Sequence, residues 1–356
     1  MSYADLDNPE LHQQTKIYTG TGSSNAFTLD GDEDMQPDFI WIKARAGTQG
    51  AQSHNLFDSV RGEGKYVFSD SNDAESTDTN RLTSFDSDGF TVGSNNAANA
   101  SSTTYVAWNW KMGTAFSNDA SSTGIGSIDS SGSINTTAGQ SIISWTGSGS
   151  GATIAHGLGA QPQIVLVKNR DDTASWNVYT VVGGGGKGLF LNENNGYDSD
   201  SSYFNNGTAS TTTFPVGTAN TANGSSDDMI AYCFGNVKGY SKIGAYTGNA
   251  NADGTFVYTG FKPAFVMIKN TAASEHWRIY DNKRDTFNHM YHVLFPNENS
   301  AESTVNNASE EIDFLSNGVK IRSSAAQLNG SGQILLYMAF AESPLVNSNG
   351  VPNNAR

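Results

Sequence analysis

The chain has 356 residues, 37% of them hydrophobic, with 20 Lys and Arg against 35 Asp and Glu for a net charge of −15. That length suits two to four domains rather than one small core. The acidic balance disfavours phosphate backbones and anionic lipid surfaces as main partners, so nucleic-acid binding is not expected, and no apolar run approaches the length of a bilayer span, so neither is membrane insertion.

The N-terminal arm, residues 1–16, is polar and lacks the basic and apolar regions of a signal peptide, which predicts synthesis in the cytoplasm. It reads as an attachment arm or a frayed end. A first β domain, residues 17–112, opens on Ile17-Tyr18-Thr19-Gly20 and continues to Pro37-Asp-Phe-Ile-Trp-Ile-Lys43. The second run is apolar at nearly every position, which predicts a strand buried on both faces. A leading Pro is tolerated because pairing has not begun. Leu56-Phe57-Asp58, Phe90-Thr-Val92 and Tyr105-Val-Ala-Trp108 predict three further strands. Within this domain, Asp30, Asp32 and Asp34 alternate as oxygen ligands for calcium could, but the Gly and Glu of an EF-hand loop do not follow. A solvated acidic turn is the leading reading, with calcium left open.

Residues 113–140 are rich in Gly, Ser and Thr and are expected to form a flexible linker, or, through Ile125, Ile128 and Ile134 as strong apolar anchors, to run along a surface in extended form. A second domain, residues 141–238, repeats the order of the first: Ser144-Trp145-Thr146-Gly147, Pro162-Gln-Ile-Val-Leu-Val-Lys168, Trp176-Asn-Val-Tyr179, Phe214-Pro-Val216 and Met229-Ile-Ala-Tyr232. His156 sits in a Gly-rich hairpin turn. The run Gly183-Gly-Gly-Gly186 lacks the Lys-Ser/Thr of a phosphate loop and reads as a flexible loop. Cys233, the single cysteine, leaves no internal disulfide and reads as a buried small hydrophobe. A third domain, residues 239–344, repeats the order again: Ala245-Tyr246-Thr247-Gly248, Pro263-Ala-Phe-Val-Met-Ile-Lys269, Trp277-Arg-Ile-Tyr280-Asp281, Val319-Lys-Ile321 and Tyr337-Met-Ala-Phe340. A tail, residues 345–356, closes the chain.

The Pro-to-Lys spacing is six in all three copies, and the Lys-to-closing-Ala spacing is 64, 63 and 70. Several matches in one order, three times over, identify a repeat. Short β-branched and aromatic runs bounded by Gly, Asn, Asp and Ser predict an all-β chain of three tandem, divergent, antiparallel β-sandwich or jelly-roll-like domains. The short second connector, about residues 235–242, predicts a close pair of copies two and three, with copy one tethered.

No Ser/His/Asp set and no carboxylate pair stands out, so a non-enzymatic protein is expected, without cofactor or metal. His289 and His292, with Asp285 and Glu298 nearby, would hold zinc only from a helix, and this stretch reads as loop and strand. Trp176 and Trp277 sit at repeat-equivalent positions and read as core. Tyr197, Tyr203, Phe204 and Tyr291 have no repeat counterpart. Together with His289 and His292 they are the candidate residues for binding a partner through loops on a rigid scaffold.

Three runs carry a family resemblance: Tyr3-Ala-Asp-Leu-Asp-Asn-Pro-Glu10, Thr104-Tyr-Val-Ala-Trp-Asn-Trp110 and Ile154-Ala-His-Gly-Leu-Gly-Ala-Gln-Pro162. They resemble a group of marine bacteriophage virion structural proteins with repeated β domains, often labelled tail fibre, and the likeness runs from residue 3 to Arg356. It implies a virion component assembled in the host cytoplasm, in an appendage such as a tail fibre or head fibre. Its expected partners are other virion proteins and a host surface glycan or protein. The resemblance assigns no functional residue. A purely architectural part, such as a capsid decoration or fibre adaptor, is the alternative, and a glycan-depolymerising enzyme the third reading. Threefold repetition fits either a homotrimer, as phage fibres commonly form, or a pseudo-threefold monomer.

Overall fold

The computed structural model describes residues 3–47, 50–303 and 309–353. The chain is all-β: among the described residues every ladder between named strands is antiparallel, and the α-helices are single turns such as Asn96–Asn99, Asn220–Asn223 and Ala326–Asn329. None of the described helices is long and apolar enough to cross a membrane.

One four-strand order recurs three times: opening strand, closing strand, Lys strand, second strand. In the first unit these are Gln13–Thr19, Thr104–Trp110, Phe39–Ala46 and Asn55–Asp58. In the second they are Gln140–Thr146, Asp228–Gly235, Pro162–Asn169 and Asn177–Thr180. In the third they are Ser241–Thr247, Ile334–Pro344, Phe261–Asn270 and Arg278–Asp281. A small sheet covers one face of each: Asn25–Phe27 with Gly89–Val92 and Leu82–Asp86, then Ala152–Ala155 with Thr213–Val216, then Phe256–Tyr258 with Gly318–Ile321 and Ile312–Leu315.

Side chains alternate across a strand, and here both faces are dry. Ile40, Ile42 and Ala44 of the first Lys strand join Tyr105 and Ala107 against the small sheet. Phe39, Trp41, Trp108 and Trp110 face the other way. In the second unit Val165, Val167, Met229, Ala231 and Cys233 pack inside the unit, and Ile164, Leu166, Tyr232 and Phe234 face out of it. In the third, Val266, Ile268, Tyr337 and Ala339 pack inside, and Phe265, Met267, Met338 and Phe340 face out. The outward sets of all three units form one shared core. Trp110 is central to it, edge-on to Phe234, Phe265 and Phe340 at 6.1, 5.5 and 5.7 Å.

The expected tether of copy one is therefore corrected: its main sheet meets both others in the shared core. Residues 113–140 are not a flexible linker either. Thr114–Asn118 and Ser130–Asn135 add two strands to the second unit's main sheet. The small residues fit because the approach is tight: a Cβ on Gly132 would lie 1.8 Å from the Ile142 carbonyl oxygen. The arm is not frayed over its described part. Ala4 and Leu6 are buried, Asp5 N–H donates to the Lys238 carbonyl at 2.9 Å, and residues 13–16 lie in the opening strand. The tail folds back onto it, with Ser348 N–H donating to the Asp7 carboxylate. The first two residues of the arm and the last three of the tail lie outside the described residues.

A repeat element invisible to composition explains the aromatic-Thr-Gly motif. In each unit the one-turn helix before the closing strand ends in a buried Asn: Asn99, Asn223 or Asn329. Its carboxamide oxygen accepts from Thr21, Ser148 or Asn249 N–H, and its nitrogen donates to Ser23, Ser150 or Asn251 carbonyl. The asparagine thus ties the loop after the opening strand to the start of the closing strand. The loop comes so close that a Cβ on Gly20, Gly147 or Gly248 would lie 2.2, 2.0 or 2.2 Å from a backbone oxygen. Gly248→Ala is expected to lower stability by about 1–3 kcal/mol, as overpacking does. A urea melt with an unchanged midpoint would contradict this close approach.

Candidate functional site

The side chains whose types suggest chemistry gather at the three seams between units. Lys43, Lys168 and Lys269, the repeat lysines, are fully buried. Each ammonium holds a loop of a neighbouring unit. Lys168 donates to the Asn72 carbonyl of unit one at 3.2 Å, Lys269 to the Asn194 carbonyl of unit two at 2.8 Å, and Lys43 to the Asn299 carbonyl of unit three at 3.2 Å. Each also donates within its own unit, to Ala174, Glu275, or both Ala44 and Gly50.

Two residues further on, the strands and loops meet again. Glu75 N–H donates to the Arg170 carbonyl at 2.8 Å, Tyr197 to Thr271 at 2.8 Å and Glu302 to Arg45 at 2.9 Å. Trp176 and Trp277 complete the pattern, their indole N–H groups donating to Phe68 and Phe190 carbonyls at 2.7 and 3.0 Å. His54 takes the corresponding place in unit one. Its Nε2 has no partner at full hydrogen-bonding distance, although the Phe295 carbonyl lies near enough to favour its protonated form. Unit one clasps two, two clasps three, and three clasps one, so the head-to-tail contact closes into a ring.

Buried ion pairs reinforce two seams. Between units three and one, Asp281 pairs with Arg284 at 2.5 Å, Glu302 bridges Arg284 and Arg45, and Trp108 Nε1 donates to Asp281 at 2.9 Å. Between one and two, Asp58 pairs with Arg61, Glu75 bridges Arg61 and Arg170, and Tyr232 OH donates to Asp58 at 2.6 Å. Burial alone would raise the carboxyls of Glu75 and Glu302, but the arginines outweigh it and hold both below the usual range. At the remaining seam Tyr197 replaces the glutamate, and its hydroxyl meets Thr180 Oγ1 at 2.6 Å. The side chains of Asp58, Arg61, Asp281 and Arg284 have no solvent exposure, so no dissolved substrate reaches them.

Burial pulls Lys43 and Lys168 down to about 8 and Lys269 to about 7, against an ordinary 10.5. Between those values and 10.5 the unfolded chain holds protons that the folded chain has released, so stability rises with pH through that window. Above about pH 10 the buried Tyr18, Tyr232 and Tyr280, raised by burial, act oppositely: the unfolded chain ionises while the fold keeps its protons. On the acid side, burial lowers His12 and His156 to about 4 and His54 well below 6.5. Their contribution is complete above pH 6.5 and is lost as pH falls toward 4, by up to about 1.4 kcal/mol per pH unit for each group. Asp38 and Asp70, raised by burial, partly offset this loss. Urea midpoints across pH are expected to peak at about pH 9–10. A maximum below pH 7 would contradict the buried lysines.

The six sequence-predicted binding residues separate. Phe204 is fully buried in the core of unit two, because the one-turn helix Ser201–Phe204 lays its last side chain against Tyr179 at 5.3 Å; it is corrected from surface to core. Tyr203 is half-buried, edge-on to Phe190 and bonded to Asp198 at 2.6 Å. Tyr197 belongs to a seam. His289, Tyr291 and His292 share the third unit's loop 282–294. Asp285 fixes that loop, accepting from Tyr291 and His292 N–H at 2.8 Å each and from His292 Nδ1. His289 turns instead to Asp313, which also meets Arg322 at 2.6 Å. The Tyr291 ring lies on His292 with centroids 4.5 Å apart. Phe287, which the sequence reasoning missed, stands 81% exposed in the same loop, the most exposed of the large hydrophobic side chains described. Its signal was an aromatic without a repeat counterpart, the criterion that selected Tyr291.

In the acidic turn Asp30 pairs with Lys16 at 2.5 Å, and Asp32 N–H donates to Glu10. Among the described residues no three His, Cys, Asp or Glu side chains gather as a metal site. Cys233 and His156 are buried, His156 Nδ1 accepting from Leu158 N–H within its turn.

No curated protein matches the chain. It belongs to the family described as "Domain of unknown function (DUF7483)", which matches residues 8–344.

Proposed function

We propose that this DUF7483 chain is a non-enzymatic virion appendage protein, of the tail-fibre or head-fibre kind, that contacts a host surface. The observation that carries this reading is the contrast between the seams and the loop 282–294. The buried charged groups at the seams hold units together, while the loop presents Phe287, His289 and Tyr291 on a backbone pinned by Asp285. A rigid aromatic and imidazole surface loses little entropy on meeting a glycan or a protein. The resemblance to phage virion proteins supplies the setting.

The test is binding of fluorescently labelled protein to host cells. Phe287→Ala with Tyr291→Ala is expected to abolish binding and leave the urea midpoint unchanged. Full binding by the double variant sinks the loop assignment. The ring favours one second reading, an architectural part seated on a threefold axis. Uniform coverage of heads in particle images would select it.

A further inference from the structure

The three small sheets end on equivalent edge strands, and the chain itself covers one of them. In unit two the edge is Ala152–Ala155. Residues 127–130 lie along it: Ile128 bridges Ile154 in parallel, Ser127 N–H donates to the Thr153 carbonyl at 2.8 Å, and Thr153 N–H donates to Ser127 Oγ at 2.9 Å. Ser130 Oγ then donates to the Ala155 carbonyl at 3.1 Å.

In unit three the edge is Phe256–Tyr258, and register places Phe256 and Tyr258 where unit two has Thr153 and Ala155. Thr255 and Thr259 bond toward the strand Gly318–Ile321 and its turn, so alternation turns the N–H and C=O of Phe256 and Tyr258 outward. Among the described residues no strand lies beyond this edge. Phe256 and Tyr258 are 42% and 58% exposed, flanking the open edge with aromatic surface. Natural edges carry charge, proline or a cover to prevent pairing, and this one carries two exposed rings instead. Beside Tyr258 opens a cleft of about 470 Å³ whose described lining includes Tyr3, Asp5, Lys242 and Val346.

We infer that Phe256–Tyr258 receives an extended acidic segment of a partner protein as an added parallel strand, with a small residue, an aliphatic residue and an acid in the order of Ser127-Ile128-Asp129. Paired backbone groups give affinity in such complexes, and side-chain pockets give specificity. Direction and charge agree. In parallel register the acid lies beside Tyr258, as the Ile128–Ile154 bridge places Asp129 beside Ala155, at the cleft that Lys242 lines in a chain of net charge −15. This site is separate from the loop 282–294 and stands without the host-contact reading.

The test uses the intact chain and a labelled peptide, Thr-Gly-Ile-Gly-Ser-Ile-Asp-Ser-Ser, the sequence of residues 123–131. Saturable anisotropy and slowed amide exchange at Phe256 and Tyr258 are expected. Tyr258→Pro removes an outward N–H, a position an edge strand tolerates, and is expected to weaken binding about tenfold. Replacing the peptide's Asp by Lys is expected to weaken it similarly on the unmodified chain. Absence of exchange protection at Phe256 and Tyr258 with peptide at millimolar concentration overturns the inference. So does protection confined to Thr153, which means exchange with the chain's own segment, or a concentration-dependent dimer that buries this edge without peptide.

Discussion

Asp281→Ala is expected to destabilise the chain by about 3–5 kcal/mol, because it strands a fully buried guanidinium. Asp281 accepts from Arg284 Nε at 2.5 Å, Arg284 N–H at 2.9 Å and Trp108 Nε1 at 2.9 Å. Burial alone would make Arg284 easier to deprotonate, but Asp281 and Glu302 reverse this and hold it charged. Removing Asp281 leaves that charge with Glu302 and orphans the Trp108 indole N–H. Breaking a buried pair costs far more than removing it whole, so Asp281→Ala with Arg284→Met should recover part of the loss. Urea titration of both variants checks this. A loss below about 1 kcal/mol for Asp281→Ala, typical of an exposed pair, would mean that water enters the seam.

Trp277→Ala should cost a similar amount, about 3–5 kcal/mol, through the cavity it leaves. Trp277 is 1% exposed and belongs to the core shared by all three units, and its indole N–H holds the Phe190 carbonyl of unit two. The damage should therefore not stay in unit three. Amide exchange in the first unit's strand Phe39–Ala46 and the second unit's strand Pro162–Asn169 should quicken along with that in the third. Faster exchange confined to residues 239–344 would show that the shared core does not couple the units.

The strands were legible because their apolar runs and the Pro-to-Lys spacing survive divergence. Their arrangement was hidden by the same property. A run such as Pro162-Gln-Ile-Val-Leu-Val-Lys168 is apolar at successive positions, so it announces two buried faces without saying that one serves another unit. The repeat lysines looked like strand ends, although a charge kept in register with a dry strand marks a fixed set of buried acceptors. Residues 113–140 misled through composition: Gly132 and the serines around it allow close strand pairing as readily as flexibility. Phe204 and Phe287 show why the candidate site was only half visible. Both are aromatics outside the repeat, and only the backbone decides that one points inward beside Tyr179 and the other out to solvent. Asn99, Asn223 and Asn329 escaped notice because a one-turn helix has no periodicity to read.

Scanning calorimetry of the intact chain tests the closed ring most directly. Three sheets around one core, each clasped by a neighbour's loop, should unfold in a single transition whose calorimetric and van't Hoff enthalpies agree, and Trp277→Ala should move that transition whole. Two or three separable transitions, or a stable folded fragment of residues 141–238, would contradict it.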